Sequence, residues 1–225
     1  MNDYLAVLIS FVCVFAVLGV AEGLRRALTP AVSVEFTRKF VHIGVGMWAW
    51  GTVLLFQNKW FAIIPPAVFI ILNYISYRRG LFKTLETSDR SNLGTVYFPI
   101  AFVALILLFF DRDKAVFVAA LMPMTWGDAF AAIVGKLKGA HKYTLLGSTR
   151  SLEGSLVMLL FSFIALWITL TVFTGSPSLA LWIALPVAVL VTLVEAISPW
   201  GLDNLLVPAA SALGIIGMLS LLVQM

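Results

Sequence analysis

Apolar runs of about 17–23 residues follow one another along the chain, and short polar segments between them carry nearly all of its charge. Eight runs stand out, at roughly 4–24, 40–56, 60–77, 94–110, 115–135, 154–174, 179–198 and 205–224. A helix rises 1.5 Å per residue, so about 20 apolar residues cross a hydrocarbon core of roughly 30 Å. No water reaches that core, so each run must satisfy its backbone hydrogen bonds internally, which selects helix. The pattern predicts an all-α polytopic membrane bundle of about eight transmembrane helices, or seven if one marginal run does not cross. It forms a single domain over residues 1–225. Pro65-Pro66 and Pro99 interrupt the third and fourth runs and predict kinks there. Met1-Asn2-Asp3 lacks the basic residues of a secretory leader, so the first run is expected to be a retained helix.

Composition agrees. The chain is 61% hydrophobic and 12% charged, with a mean hydropathy of +1.03. Soluble domains run at about 45–50% and about 25%, so an ordinary soluble domain is excluded. The single cysteine, Cys13, rules out a disulfide framework or a cysteine metal cluster within the chain. The net charge of +4 matters less than its placement. Twelve of the fifteen Lys and Arg lie in segments 25–39, 78–93 and 136–153, while the intervening loops hold Lys59, Arg112 and Lys114. The positive-inside rule then puts those three segments in the cytoplasm and both termini outside, in a multi-pass protein of a prokaryotic plasma membrane. No repeat or low-complexity segment appears, and no nucleic-acid partner is expected.

Ionisable residues in or beside a span are costly, and so are functional candidates. Glu35, Arg38, Lys39 and His42 share one helical face at the entrance to the second run. Glu35 can pair with Arg38 or Lys39 and leave a cation for an anionic ligand. Arg38 and Lys39 by themselves suit a snorkelling anchor; His42 points into an apolar run. In the fifth run Asp128 is followed by Ala132, Gly135 and Gly139 on its own face, and by Lys136, Lys138, His141 and Lys142. A small-residue stripe suits a close-packed helix; beside a carboxylate and several bases it suits a phosphate. Segment 147–155 offers Ser151, Arg150 and free amides at a helix start, a natural anion site. Glu153 falls in the first turn there, where the helix dipole favours an acid in any case. Asp203 or Asn204 would cap the last helix, but Glu195, near the end of the seventh run, has no capping role.

With eight spans, all these groups reach one face. Asp128, Glu153, Glu195 and Asp203, with the bases around them, suit a nucleoside triphosphate and magnesium. Hard divalent cations take carboxylate and phosphate oxygens, and cationic side chains offset the charge of a transferring phosphoryl group. The soluble signatures GxxxxGK[ST], HRD…N, DFG and HExxH are absent.

Five elements then occur in order: Arg38-Lys39-Phe-Val-His42, Asn92-Leu-Gly94-Thr95-Val-Tyr97-Phe-Pro99, Gly127-Asp128…Gly135…Gly139, Ser151-Leu-Glu153-Gly154-Ser155 and Glu195…Asp203-Asn204…Pro208. In this set the sequence resembles the phytol kinase, dolichol kinase and CTP-dependent diacylglycerol kinase family of integral membrane enzymes. It is most similar to the phytol kinase branch, and the family is related to phosphatidate cytidylyltransferases. The resemblance implies transfer of the γ-phosphoryl group of CTP, or another nucleoside triphosphate, with Mg2+, to an isoprenoid alcohol of the phytol or geranylgeraniol class. It implies catalytic roles for Asp128, Glu153, Glu195 and His42, and magnesium at Asp128, Glu153 and Asp203. Phosphate contacts would come from Arg38, Lys39, Gly135, Lys136, Lys138, Gly139, His141, Lys142, Arg150 and Ser151. Asn92, Thr95, Tyr97 and Asn204 would contact the alcohol. The general base stays open between Asp128, Glu195 and His42. Arg150 stands where relatives commonly carry lysine, which preserves phosphate binding and leaves the nucleotide open. The chain lacks the extra spans of dolichol kinases. Two alternatives stand beside this one: a cytidylyltransferase moving CMP onto a lipid phosphate, and an anion transporter. The gathering of polar residues at one face, not the midplane, counts against the transporter. Membrane lipids are the expected surroundings, and nothing in the sequence fixes an oligomeric state.

Overall fold

The computed structural model describes residues 2–28, 34–79 and 93–224, and every apolar run is helical over most of its length. The first run is α1 (Asp3–Leu28). The second is broken at Met47 into α2 (Val34–Gly46) and α3 (Trp48–Leu55). The third is α4 (Lys59–Ala62) and α5 (Ile64–Arg79), and the fourth is α6 (Gly94–Phe109). The fifth joins α7 (Lys114–Met122), a π-helical segment (Pro123–Asp128) and α8 (Ala129–Lys138). After a hairpin of β1 (Lys142–Leu145) and β2 (Ser148–Ser151) come α9 (Leu152–Thr174), α10 (Pro177–Ile197) and α11 (Asp203–Val223). Among the described residues six helices are long and apolar enough to cross a membrane, and α6 is a shorter apolar one.

Two local expectations are revised. Pro65 and Pro66 do not kink a continuous helix: they sit in the first turn of α5, where a missing N–H costs nothing. Segment 136–153 is not a plain loop leading into a helix. Its strands pair antiparallel, Lys142 with Ser151 and Tyr143 with Arg150, about a two-residue turn. Leu146 and Gly147 there both have positive φ, +48° and +82°, as a type I′ hairpin requires.

The fifth run is the axis of the bundle. Its apolar window is 78% buried, against 17–44% for the other five long spans, so the rest ring it and turn outer faces to lipid. Lipid tails are as apolar as leucine, so these helices associate by close approach over small residues. Gly127 lies against Ser162 and Met158, and Gly135 against Ser151 and Gly154. Gly46 of α2 faces Thr125, where a Cβ would stand only 2.2 Å from the Thr125 Oγ1. Gly46→Ala is therefore expected to push α2 off the axis and cost about 1–3 kcal/mol, an overpacking penalty. A melting temperature in detergent equal to the parent's would show that α2 shifts freely.

Polar residues at the two ends of the bundle have different duties. At one end Asp3 accepts from the Gln57 amide at 2.8 Å, Lys59 pairs with Asp111 at 2.7 Å, and Asp113 caps α7. These tie loops and helix ends together. At the other end meet the starts of α2, α9 and α11, the ends of α8 and α10, and the hairpin.

Candidate active site

Asp128 is the last residue of the π-helical segment, on the most enclosed helix. Pro123 opens that segment: it has no N–H to donate, and the wider π turn accommodates the break. The Asp128 side chain is only 7% exposed and is ion-paired with the Lys39 ammonium. Lys39 therefore does not snorkel outward as an anchor. A buried carboxylate without a cation costs several kcal/mol, and the ammonium is drawn inward to meet it. Arg38 takes the other acid, pairing with Glu35 at 2.6 Å. His42 Nε2 lies 2.9 Å from the Met124 carbonyl and 3.9 Å from Asp128. A carbonyl only accepts, so Nε2 carries the hydrogen and Nδ1 is left as the acceptor.

Arg150 projects from β2 and holds two further acids. Its Nε lies 2.5 Å from Glu195, as an ion pair without hydrogen-bond alignment, and its Nη2 donates to Asp203 at 2.9 Å. Burial works against the guanidinium charge, but Glu195 and Asp203 beside it hold its pKa above the usual arginine value. Arg150 thus clamps these two carboxylates, and it also lines the polar cavity in which a phosphate contact is expected of it. Asp128, Glu195 and Asp203, all buried and from three separate helical stretches, bring one oxygen each within 4.8 Å of one another. This is a donor set of hard oxygens.

Glu153 is not in that set. It accepts from His141 at 2.7 Å on the outer side of the hairpin, apart from the other two acids expected at a metal, and the carboxylate that stands beside Asp128 and Asp203 is that of Glu195. His141 and Lys138 are exposed and do not line the cavity beside the three acids, whereas Lys136 and Lys142 do. Gly139 packs on Ser151, whose hydroxyl caps α9 by accepting from the Gly154 amide at 3.1 Å. Gly135 serves both purposes, packing against α9 and lining the cavity. Tyr97 lines neither cavity, and Asn92 lies outside the described residues, as do Lys83 and Arg90. Sequence reasoning missed the π-helical turn, for which Pro123 inside an apolar run was the signal. It also missed Asn73, an amide in the third run that donates to the Thr95 carbonyl at 2.7 Å.

Two cavities meet here. The polar one, about 490 Å³, is bounded by the three acids, Lys136, Lys142 and Arg150, with the Trp200 turn at its rim. The apolar one, about 120 Å³, runs between α1, α2, α5 and α6. Arg38, Lys39 and Asn204 line both.

Fold and site together define a multi-pass helical membrane protein with a charged, enzyme-like cavity opening onto an apolar pocket. A phytol kinase of Synechocystis sp. is 36% identical over 200 residues, covering 88% of this chain and 84% of that protein. The chain belongs to the phytol kinase family, and is a kinase. "Probable phytol kinase, chloroplastic" of Triticum aestivum is 29% identical over 202 residues, covering 81% of this chain and 67% of that protein. A similarly named rice protein (Oryza sativa subsp. japonica) is 29% identical over 235 residues, covering 95% and 73%. No protein-family model matches the chain, and no solved structure matches it.

Proposed function

We propose that this chain phosphorylates isoprenoid alcohols of the phytol class, with CTP as donor, at the cytoplasmic membrane face. The observation that carries this reading is the junction of the two cavities at Arg38, Lys39 and Asn204. An acceptor tail in the apolar pocket would bring its hydroxyl to that neck, and a triphosphate in the polar cavity would reach it from the other side. The family relationship supports the alcohol acceptor. The cytoplasmic side is supported by the bundle end at which Arg78, Arg79, Lys136, Lys138 and Lys142 gather with the site.

The acids at Asp128, Glu195 and Asp203 fit magnesium, which takes carboxylate oxygens together with substrate phosphates and would neutralise charge on the triphosphate. Lys39 exchanges Asp128 for phosphoryl oxygens as substrates load, while Lys136 and Lys142 hold the outer phosphates. The alcohol oxygen bonds to the γ-phosphorus as the bridging β–γ oxygen bond breaks, and the nucleoside diphosphate leaves. His42 Nδ1, on the pocket wall, takes the hydroxyl proton. Such transfer depends mainly on positioning and electrostatics, so a weak base suffices.

The test is transfer from CTP labelled at either the α or the γ phosphate to geranylgeraniol, phytol or diacylglycerol in vesicles. Label from the γ position is expected on the prenols, with diacylglycerol a poor acceptor. Label arriving from the α position would make the protein a cytidylyltransferase.

A further inference from the structure

We propose that Trp48 is the floor of the apolar pocket and limits the length of alcohol that the site accepts. The proposal rests on the kinase reading above and adds the residue that measures the acceptor. Along α2 and into α3, Arg38, His42, Val45 and Trp48 line the pocket at helical spacing, one stripe from the polar neck downward. Ten residues at 1.5 Å each separate Arg38 from Trp48, a depth of about 15 Å. The facing helices run through the same order. Thr95 of α6 stands near the neck with Phe98 and Phe102 below it, and Asn73 of α5 is followed downward by Phe69 and Pro65. Below His42 these helices line the pocket with apolar side chains and the Trp48 ring, whose N–H is turned away to Ser10, so that part accepts hydrocarbon alone.

The Trp48 ring is fixed from two sides. Its Nε1 donates to Ser10 Oγ of α1 at 3.0 Å, and Ser10 in turn donates to the Ala6 carbonyl at 2.8 Å. On the other side the ring lies over Gly51, so close that a Cβ there would stand 2.8 Å from it. A side chain held by a neighbouring helix and by its own backbone is a fixed stop, not a mobile gate. An extended hydrocarbon advances roughly 1.25 Å per carbon from bond lengths near 1.5 Å. With the hydroxyl-bearing isoprene unit held in the neck itself, the pocket below takes about twelve further main-chain carbons, or three more units, so the last unit of a four-unit prenol reaches the floor.

The experiment sets the parent, Trp48→Ala, Trp48→Phe and Val45→Phe against unbranched-head prenols of two to eight isoprene units. Each is read as kcat/KM and, without nucleotide, as the rise in melting temperature that the alcohol produces. The parent is expected to favour three and four units. Trp48→Ala should raise the ratio of long to short acceptors about tenfold or more, as added room in an apolar pocket does. Val45→Phe, which fills the pocket above the floor, should move the optimum to shorter prenols, and Trp48→Phe should change the profile least. Transfer by all four proteins with one unchanged length profile would overturn the floor and leave the kinase standing. A length profile in melting temperature that moves with these variants, without any transfer, would support the floor and overturn the kinase. Should Trp48→Ala not fold, Val45→Phe decides alone: an unshifted optimum there overturns the proposal.

Discussion

Asp128→Asn is expected to abolish phosphoryl transfer while leaving a folded bundle. The substitution keeps volume and hydrogen-bonding shape but removes the charge that pairs with Lys39 and faces Glu195 and Asp203. Losing one preorganised electrostatic group at a phosphoryl-transfer site costs on the order of 10²–10³-fold in rate. Loss of one of three metal-binding carboxylates adds to this. Stability should change much less. The Lys39 ammonium still lies within electrostatic reach of Glu195 and Asp203, so it is not left as a lone buried charge. The checks are activity per folded molecule, melting temperature in detergent and a magnesium titration of both forms. Near-normal specific activity at saturating magnesium would remove Asp128 from the mechanism.

Arg150→Met should act in the opposite way, on stability first. With the guanidinium gone, Glu195 and Asp203 lose their clamp and three buried carboxylates share Lys39. Breaking a buried ion pair from one side costs about 3–5 kcal/mol, so a large fall in melting temperature is expected in metal-free buffer. If the three acids bind magnesium, the cation stabilises the folded state by mass action and should restore more of the lost stability in Arg150→Met than it adds to the parent. Arg150→Lys keeps a charge but not the planar fork that serves two acids at once, and should fall between the two. An Arg150→Met protein that melts like the parent without metal would mean that the acids need no counter-charge, and the case for a cation site among them would fail.

What could be read from the sequence follows from costs that are local. An apolar run of bilayer length must be helix, whatever surrounds it, so the apolar helices among the described residues were visible in the hydropathy pattern. An acid inside such a run is expensive wherever the run lies, so Asp128 and Glu195 stood out without a structure. The gathering of the site at one end followed from counting crossings. Glu153 shows where this logic stops. It begins a helix, where an acid is comfortable beside the dipole, and its spacing alone could not say whether it faced inward.

Partner choice was decided only in three dimensions. Four bases follow Asp128 within fourteen residues, yet its counter-charge is Lys39, 89 residues away in the chain. Arg150 lies three residues before Glu153 and instead holds Asp203, 53 residues on, together with Glu195. The π-helical turn after Pro123 sets the angle at which Asp128 faces α2, and the hairpin turns Arg150 toward α10 and α11. The apolar pocket has no sequence signature, since its walls are ordinary apolar faces of four helices. Hydrophobic length fixes that a segment crosses the membrane. Which faces meet depends on the angle of each helix about its axis, and that is set by close packing at contacts such as Gly46 with Thr125.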